Sequence, residues 1–172
     1  MLTFVKDRKP DFATNCLNRT IEEAVGLCRE DARHREISLY LQTAAGMPEA
    51  EFDRQGVSDA ALNLIGNAIE SCAEWEAGEV WVSTRYDPES QSIEFSVANT
   101  GVGIPDDIKD KIFEPFFSTK GAKGTGLGLA NSRKIAVEHG GTLELVQTDE
   151  LTTFVFRIPA ARSREFSPQS AA

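Results

Sequence analysis

The chain has 172 residues, 41% of them apolar and 26% charged, ordinary values for one soluble domain with a sizeable core. A net charge of −9 argues against a nucleic-acid or acidic-membrane partner. No apolar run is long enough to span a membrane, and charges follow Met1–Phe4 too soon for a signal peptide. Cys16, Cys28 and Cys72 show neither CxxC nor metal-ligand spacing, and read as buried or free thiols in a reducing cytoplasm.

Residues 1–17 open with a basic patch, Lys6-Asp7-Arg8-Lys9-Pro10, where Pro10 stops any incoming helix. From Thr20 a helix is predicted: Thr20 and Glu23 fit a capping box, and Ile21, Ala24, Val25, Cys28 and Ala32 recur at helical spacing. Ile37, Leu39 and Leu41 alternate with polar residues as in a strand. Gly46-Met47-Pro48 makes a turn.

A second helix is predicted from about Val57 to Trp75, with an apolar stripe of Val57, Ala60, Ala61, Leu64, Ile65, Ala68 and Ile69. A separate polar stripe holds Asn63, Asn67, Glu70 and Glu74. Strands Glu79–Tyr86 and Ser92–Ala98 follow, joined by a hairpin loop, Asp87-Pro88-Glu89-Ser90. Residues 99–128 are dense in glycine and carry Phe113, Phe116 and Phe117. A further helix runs to about His139 and Gly140-Gly141, and strands Thr142–Gln147 and Thr152–Ile158 complete the domain. Hairpins mixed with separated helices predict an α+β two-layer sandwich with a mostly antiparallel sheet. Residues 160–172 read as a loose tail, and His34 as an inert residue in a charged loop.

Three features carry chemistry. Gly124-Thr125-Gly126-Leu127-Gly128 opens straight into a helix, where close backbone approach and free N–H groups favour phosphate. It lacks the Gly-Lys-Ser/Thr of a Walker loop and the strand-first context of a dinucleotide fingerprint. Asn63 and Asn67 lie one turn apart although asparagine is a poor helix-interior residue. Solvent exposure would account for them; so would a hard oxygen ligand for Mg²⁺ at Asn67. Asn99-Thr100-Gly101-Val102-Gly103-Ile104-Pro105 ends a strand in a turn with room for a flat ligand, or in a bare hairpin turn.

Taken in order, Asn63-x-x-x-Asn67, Asn99-x-Gly101-x-Gly103, Phe113-Glu114-Pro115-Phe116-Phe117 and Gly124-x-Gly126-x-Gly128 resemble the N, G1, F and G2 boxes of the histidine kinase catalytic domain. That family shares its Bergerat-type ATP-binding fold with gyrase, mismatch-repair ATPases and heat-shock chaperones. The boxes cover about residues 53–145, with flanking similarity over roughly 1–159. The resemblance implies ATP and Mg²⁺ as cofactors, with Asn67 as the metal ligand and Asn63 supporting the phosphate end. Asn99, Gly101, Gly103 and Ile104 would shape the adenine pocket. Residues from Phe113 to about Thr125 would form a lid, with Phe117 near the nucleotide and Lys120 or Lys123 near the phosphates. Gly124, Thr125, Gly126, Leu127 and Gly128 would supply its hinge and backbone contacts. The aromatic residues would anchor the lid or dock on a partner helix, and His139 would be structural.

Two departures from the family pattern matter. Asn99 stands where the family usually has an aspartate that accepts from the adenine amino group; Asn99→Asp should therefore tighten ATP binding. His34 and His139 both lack the following acidic residue of a phosphoacceptor. Residues 1–12 look like the end of a dimerisation hairpin, 13–159 like the ATP-binding domain. The implied reaction is transfer of the γ-phosphoryl group to a histidine on a separate or missing dimerisation domain, then to a response regulator. The implied place is the cytoplasm, in a full-length protein that can be membrane-anchored, with no nucleic acid and no membrane contact by this segment. A hydrolytic ATPase or serine kinase of this fold would resemble its class in having glutamate at position 63, and Asn63 cannot act as a general base. Asn99 and the missing acceptor keep a non-catalytic nucleotide- or partner-binding module as the alternative.

Overall fold

The computed structural model describes residues 8–73, 77–121 and 124–161. Among these the chain runs β1 (Phe12–Cys16), α1 (Leu17–His34), β2 (Ser38–Gln42), β3 (Glu49–Asp53) and α2 (Arg54–Cys72). It continues through β4 (Glu79–Asp87), β5 (Ser92–Asn99), α3 (Gly128–Glu138), β6 (Thr142–Gln147) and β7 (Thr152–Pro159). Short 3-10 turns at Asp106–Ile108 and Lys111–Phe113 interrupt the long segment between β5 and α3.

A five-stranded sheet has the order β2-β4-β5-β7-β6. Only β2 pairs parallel, with β4; β4–β5, β5–β7 and β6–β7 are antiparallel. This is the mixed, mostly antiparallel two-layer sandwich expected. Alternation puts Val82, Val97 and Phe154 in one inward row and Phe95 against Phe156 in another, with those two rings stacked 4.9 Å apart. The apolar stripe of α2 covers that face, and Val57, Leu64, Ile65 and Ile69 are fully buried. Each such side chain contributes roughly 1.5–3 kcal/mol relative to exposure.

Several boundaries differ from expectation. The capping box does not form: α1 starts at Leu17, so Thr20 lies inside the helix and its hydroxyl donates to the Cys16 carbonyl at 3.1 Å. Glu23 instead forms an ion pair with Arg54. His34 is the last residue of α1, not part of a loop, and α2 begins at Arg54 rather than Val57. Positions Glu74 and Trp75 lie outside the described residues. The β4–β5 loop is shifted by one residue because Asp87 still pairs with Ser92.

Two strands lacked any prediction. β1 and β3 pair antiparallel as a separate two-stranded sheet, Phe12 opposite Asp53. Of the expected hairpin remnant, residues 1–7 lie outside the described residues, residues 8–11 are irregular, and Phe12 already belongs to β1. Arg8 donates to both oxygens of the buried Asp53 carboxylate, at 2.7 and 2.5 Å. Directly behind it, His139 joins two elements. Its Nε2 accepts the Asp53 N–H at 3.0 Å, and its Nδ1 lies 2.7 Å from the Ile135 carbonyl. A peptide N–H can only donate and a carbonyl only accept, so the proton sits on Nδ1. Of the expected tail, only Ala160 and Ala161 are described.

Candidate nucleotide-binding site

The polar stripe of α2 is the starting wall. Its apolar positions are consumed by the sheet, so Asn63, Asn67 and Glu70 point the other way, together with Ser71, and line a cavity of about 550 Å³. That is a typical size for a small-molecule site. Opposite stands the start of α3. The Asn63 amide donates to Ser132 Oγ at 3.0 Å, and a Cβ on Gly128 would lie 2.2 Å from Asn63 Oδ1. Only a glycine lets α3 approach that closely. The first turn of α3 carries N–H groups with no partner inside the helix, which face an anion favourably.

The segment after β5 forms the second wall. Asn99 is buried, and its Nδ2 donates to the Thr100 carbonyl. The thiol of Cys72 donates to the same oxygen at 3.1 Å. Burial pushes that thiol up, so it stays protonated at neutral pH. Gly101 adopts φ +117°, and a Cβ there would meet the Ser71 carbonyl oxygen at 2.6 Å. Beyond it, Ile104, Ile108, Ile112, Leu129 and Phe154 make an apolar floor.

Residues of the segment expected to form a lid make the third side, 117–120 and 124–126 among them. Phe113 meets Phe154 edge-on at 6.3 Å, with the Arg133 guanidinium 5.2 Å from its ring centre. Phe116 is largely exposed at φ +68°, with its N–H bonded to the Gly126 carbonyl at 2.9 Å. Gly126 is itself left-handed, at φ +66°. Lys120 reaches down to α2, where its ammonium pairs with Glu70 and stands 3.5 Å from Asn67 Oδ1. The end of the polar stripe is therefore a place already built for positive charge.

Of the expected site residues, Asn63, Asn67, Gly103, Ile104, Phe117, Lys120, Gly124, Thr125, Gly126 and Gly128 line this one cavity. Asn99, Gly101 and Leu127 are not on its wall, and Lys123 lies outside the described residues. Ser71, Ile108, Ile112, Leu129 and Phe154 line it without having been anticipated. Ser71 had a signal, being four residues after Asn67 on the same helix face; the apolar residues had none.

The profile of the family described as Histidine kinase-, DNA gyrase B-, and HSP90-like ATPase matches residues 52–162. This chain belongs to that family. Within it, the catalytic domain of histidine kinase ThkA has a solved structure with a TM-score of 0.79 at 35% identity, covering 88% of this chain and 97% of that one. Sensor histidine kinase ZraS of Escherichia coli (strain K12) is 34% identical over 150 residues, which span 87% of this chain and 31% of ZraS. ThkA in complex with response regulator protein TrrA matches with a TM-score of 0.73 at 32% identity, covering 87% of this chain and 42% of that one. The chain thus corresponds to the ATP-binding catalytic domain of sensor histidine kinases. It spans about a third of the length of the curated relatives it matches, 31% of ZraS for example.

Proposed function

We propose that the cavity binds Mg-ATP and presents its γ-phosphoryl group to a histidine on a dimerisation domain, carried elsewhere in the protein or on another chain. The observation that carries this reading is the convergence of Asn63, Asn67, Lys120 and the start of α3 on one side of the cavity. The apolar floor from Ile104 to Phe154 suits a base, and the far side suits phosphates. The Lys120 ammonium beside Asn67 and Glu70 supports a cation there, so Asn67 Oδ1 is the protein ligand expected for Mg²⁺. When bound, the metal would neutralise charge between neighbouring phosphates.

Asn63, tied to Ser132, has no proton-accepting role. Water is therefore not activated by this position, whereas a neutral imidazole is already nucleophilic. The chain's own contribution is positioning: α2 holds the metal side, the α3 N-terminus and Lys120 hold phosphate oxygens, and the lid excludes water. A response regulator would receive the phosphoryl group next, as the ThkA–TrrA complex supports by analogy. The expected compartment is the cytoplasm.

Calorimetric titration tests this directly. Binding of ATP should require Mg²⁺, and Asn67→Ala should weaken it at least tenfold, about 1.4 kcal/mol. Mixed with a histidine-bearing hairpin, the chain should yield acid-labile phosphohistidine. Binding without transfer would assign the chain to non-catalytic modules, and phosphoserine alone would sink the histidine reading.

A further inference from the structure

Gln147, the last residue of β6, takes part in none of the contacts just described. Its side-chain amide faces the backbone of Ile104: Oε1 accepts the Ile104 N–H at 2.8 Å, and Nε2 donates to the Ile104 carbonyl at 3.1 Å. One residue thereby receives both bonds that an antiparallel strand partner would give it. The approach is close, since a Cβ on Gly103 would lie 3.1 Å from Gln147 Nε2.

The register shows why Gln147 can reach. Asn99 of β5 lies opposite Thr152 of β7, and Thr152 lies opposite Gln147 of β6. These three polar residues form one row across the end of the sheet. Thr152 is buried, and its hydroxyl stands 3.5 Å from Gln147 Oε1, which helps hold the amide in one orientation. Phe154, one row further in, is part of the cavity floor. The segment Val102–Pro105 has no strand pairing of its own, yet Gly103 and Ile104 line the cavity.

We propose that Gln147 is a positioning residue for the base end of the nucleotide site, fixing the Gly103–Ile104 edge by standing in for a missing strand. The inference rests on the nucleotide-binding reading above. It goes beyond that reading in assigning a role to a residue of β6, outside the four motifs. Ordering this edge before binding removes an entropic cost that would otherwise reduce affinity.

The test compares wild type with Gln147→Met, which keeps the length but loses both hydrogen bonds, and Gln147→Glu. Titrations with ATP and with ADP should show Gln147→Met weaker by about fivefold for both, with the Mg²⁺ requirement of ATP unchanged. In the same samples the Ile104 amide should exchange with deuterium faster than in wild type. Gln147→Glu supplies a separate signature. Its carboxylate repels the Ile104 carbonyl at high pH, but a protonated carboxyl can donate to it. Its affinity relative to wild type should therefore recover as pH falls toward 5, roughly one unit above the ordinary glutamate range. Equal ATP affinity in wild type and Gln147→Met, or a fall in melting temperature with affinity retained, would overturn the proposal while leaving the nucleotide reading intact. A wild type that binds no ATP would overturn both. If Gln147→Met does not fold, the pH response of Gln147→Glu decides.

Discussion

Asn99 is buried at the end of β5, next to the candidate site but off the wall of its cavity. An amide at this position brings a donor that could compete with the adenine amino group. The structure gives one of its two N–H groups a partner, the Thr100 carbonyl. Asn99→Asp should therefore have two separable effects. If position 99 meets the base as the family pattern implies, the carboxylate would gain a charge-assisted bond there and ATP binding should tighten. In the free protein, however, it faces a carbonyl oxygen inside the core. Stability without nucleotide should fall by about 1–3 kcal/mol, read as a lower melting temperature that added ATP partly restores. An unchanged melting temperature would contradict the inward hydrogen bond. At this scale the sequence was informative where chemistry is unusual for its context. Two asparagines inside a helix stand out; Gln147 does not, because a glutamine ending a strand is ordinary. Its role comes from a contact across 43 positions that no local pattern encodes.

Elements with clear local periodicity were legible, β2 included although its partner β4 is distant in sequence, and those without it were not. β4, β5, β6 and β7 alternate strongly, and each pairs with a strand adjacent to it in sequence. β1 is different: its five residues, FATNC, show no alternation, and it exists because β3 lies beside it. β3 alternates Ala50 and Phe52 with acidic residues, a pattern masked by charges that are rare in strands. The lid belongs to the same argument, since glycines announce flexibility without saying what is bent. A Cβ on Gly126 would lie 2.4 Å from the Phe116 carbonyl carbon, and φ there is +66°. Gly126→Ala should consequently force the base of the lid to move. Melting temperature should change little, because the lid packs few buried side chains, while ATP affinity should fall roughly tenfold from strain of about 1–3 kcal/mol. A large loss of stability with unaltered affinity would show that the lid is structural instead.

For the molecule as a whole, the sandwich and the order of the motifs were readable from the sequence. The closure of the two-stranded sheet against α3 was not. Stability also has a pH dependence that follows from one cross-strand triad. Glu94 on β5 accepts from Arg85 of β4 at 2.7 Å and from Arg157 of β7 at 2.8 Å. Burial pushes the Glu94 carboxyl up, but the two guanidinium hydrogen bonds and their charges outweigh it and hold it below its ordinary value of 4.5. A carboxyl lowered in the folded state stabilises fully above its unfolded value and loses that contribution as pH falls through the folded one. Glu94→Gln should lower stability at pH 7, and its difference from wild type should shrink between roughly pH 5 and 3 in denaturant titrations. A constant difference across that range would rule the triad out as a source of acid sensitivity. The His139 junction, finally, has a chemical meaning for a histidine kinase domain. Attack on phosphorus needs an unshared electron pair on a ring nitrogen. On His139 the Nε2 pair is already directed at the Asp53 peptide N–H, and Nδ1 carries a proton aimed at a carbonyl. Phosphorylation there would require α3 to separate from β3, so the imidazole that fastens the fold is inert as a nucleophile for as long as the fold persists.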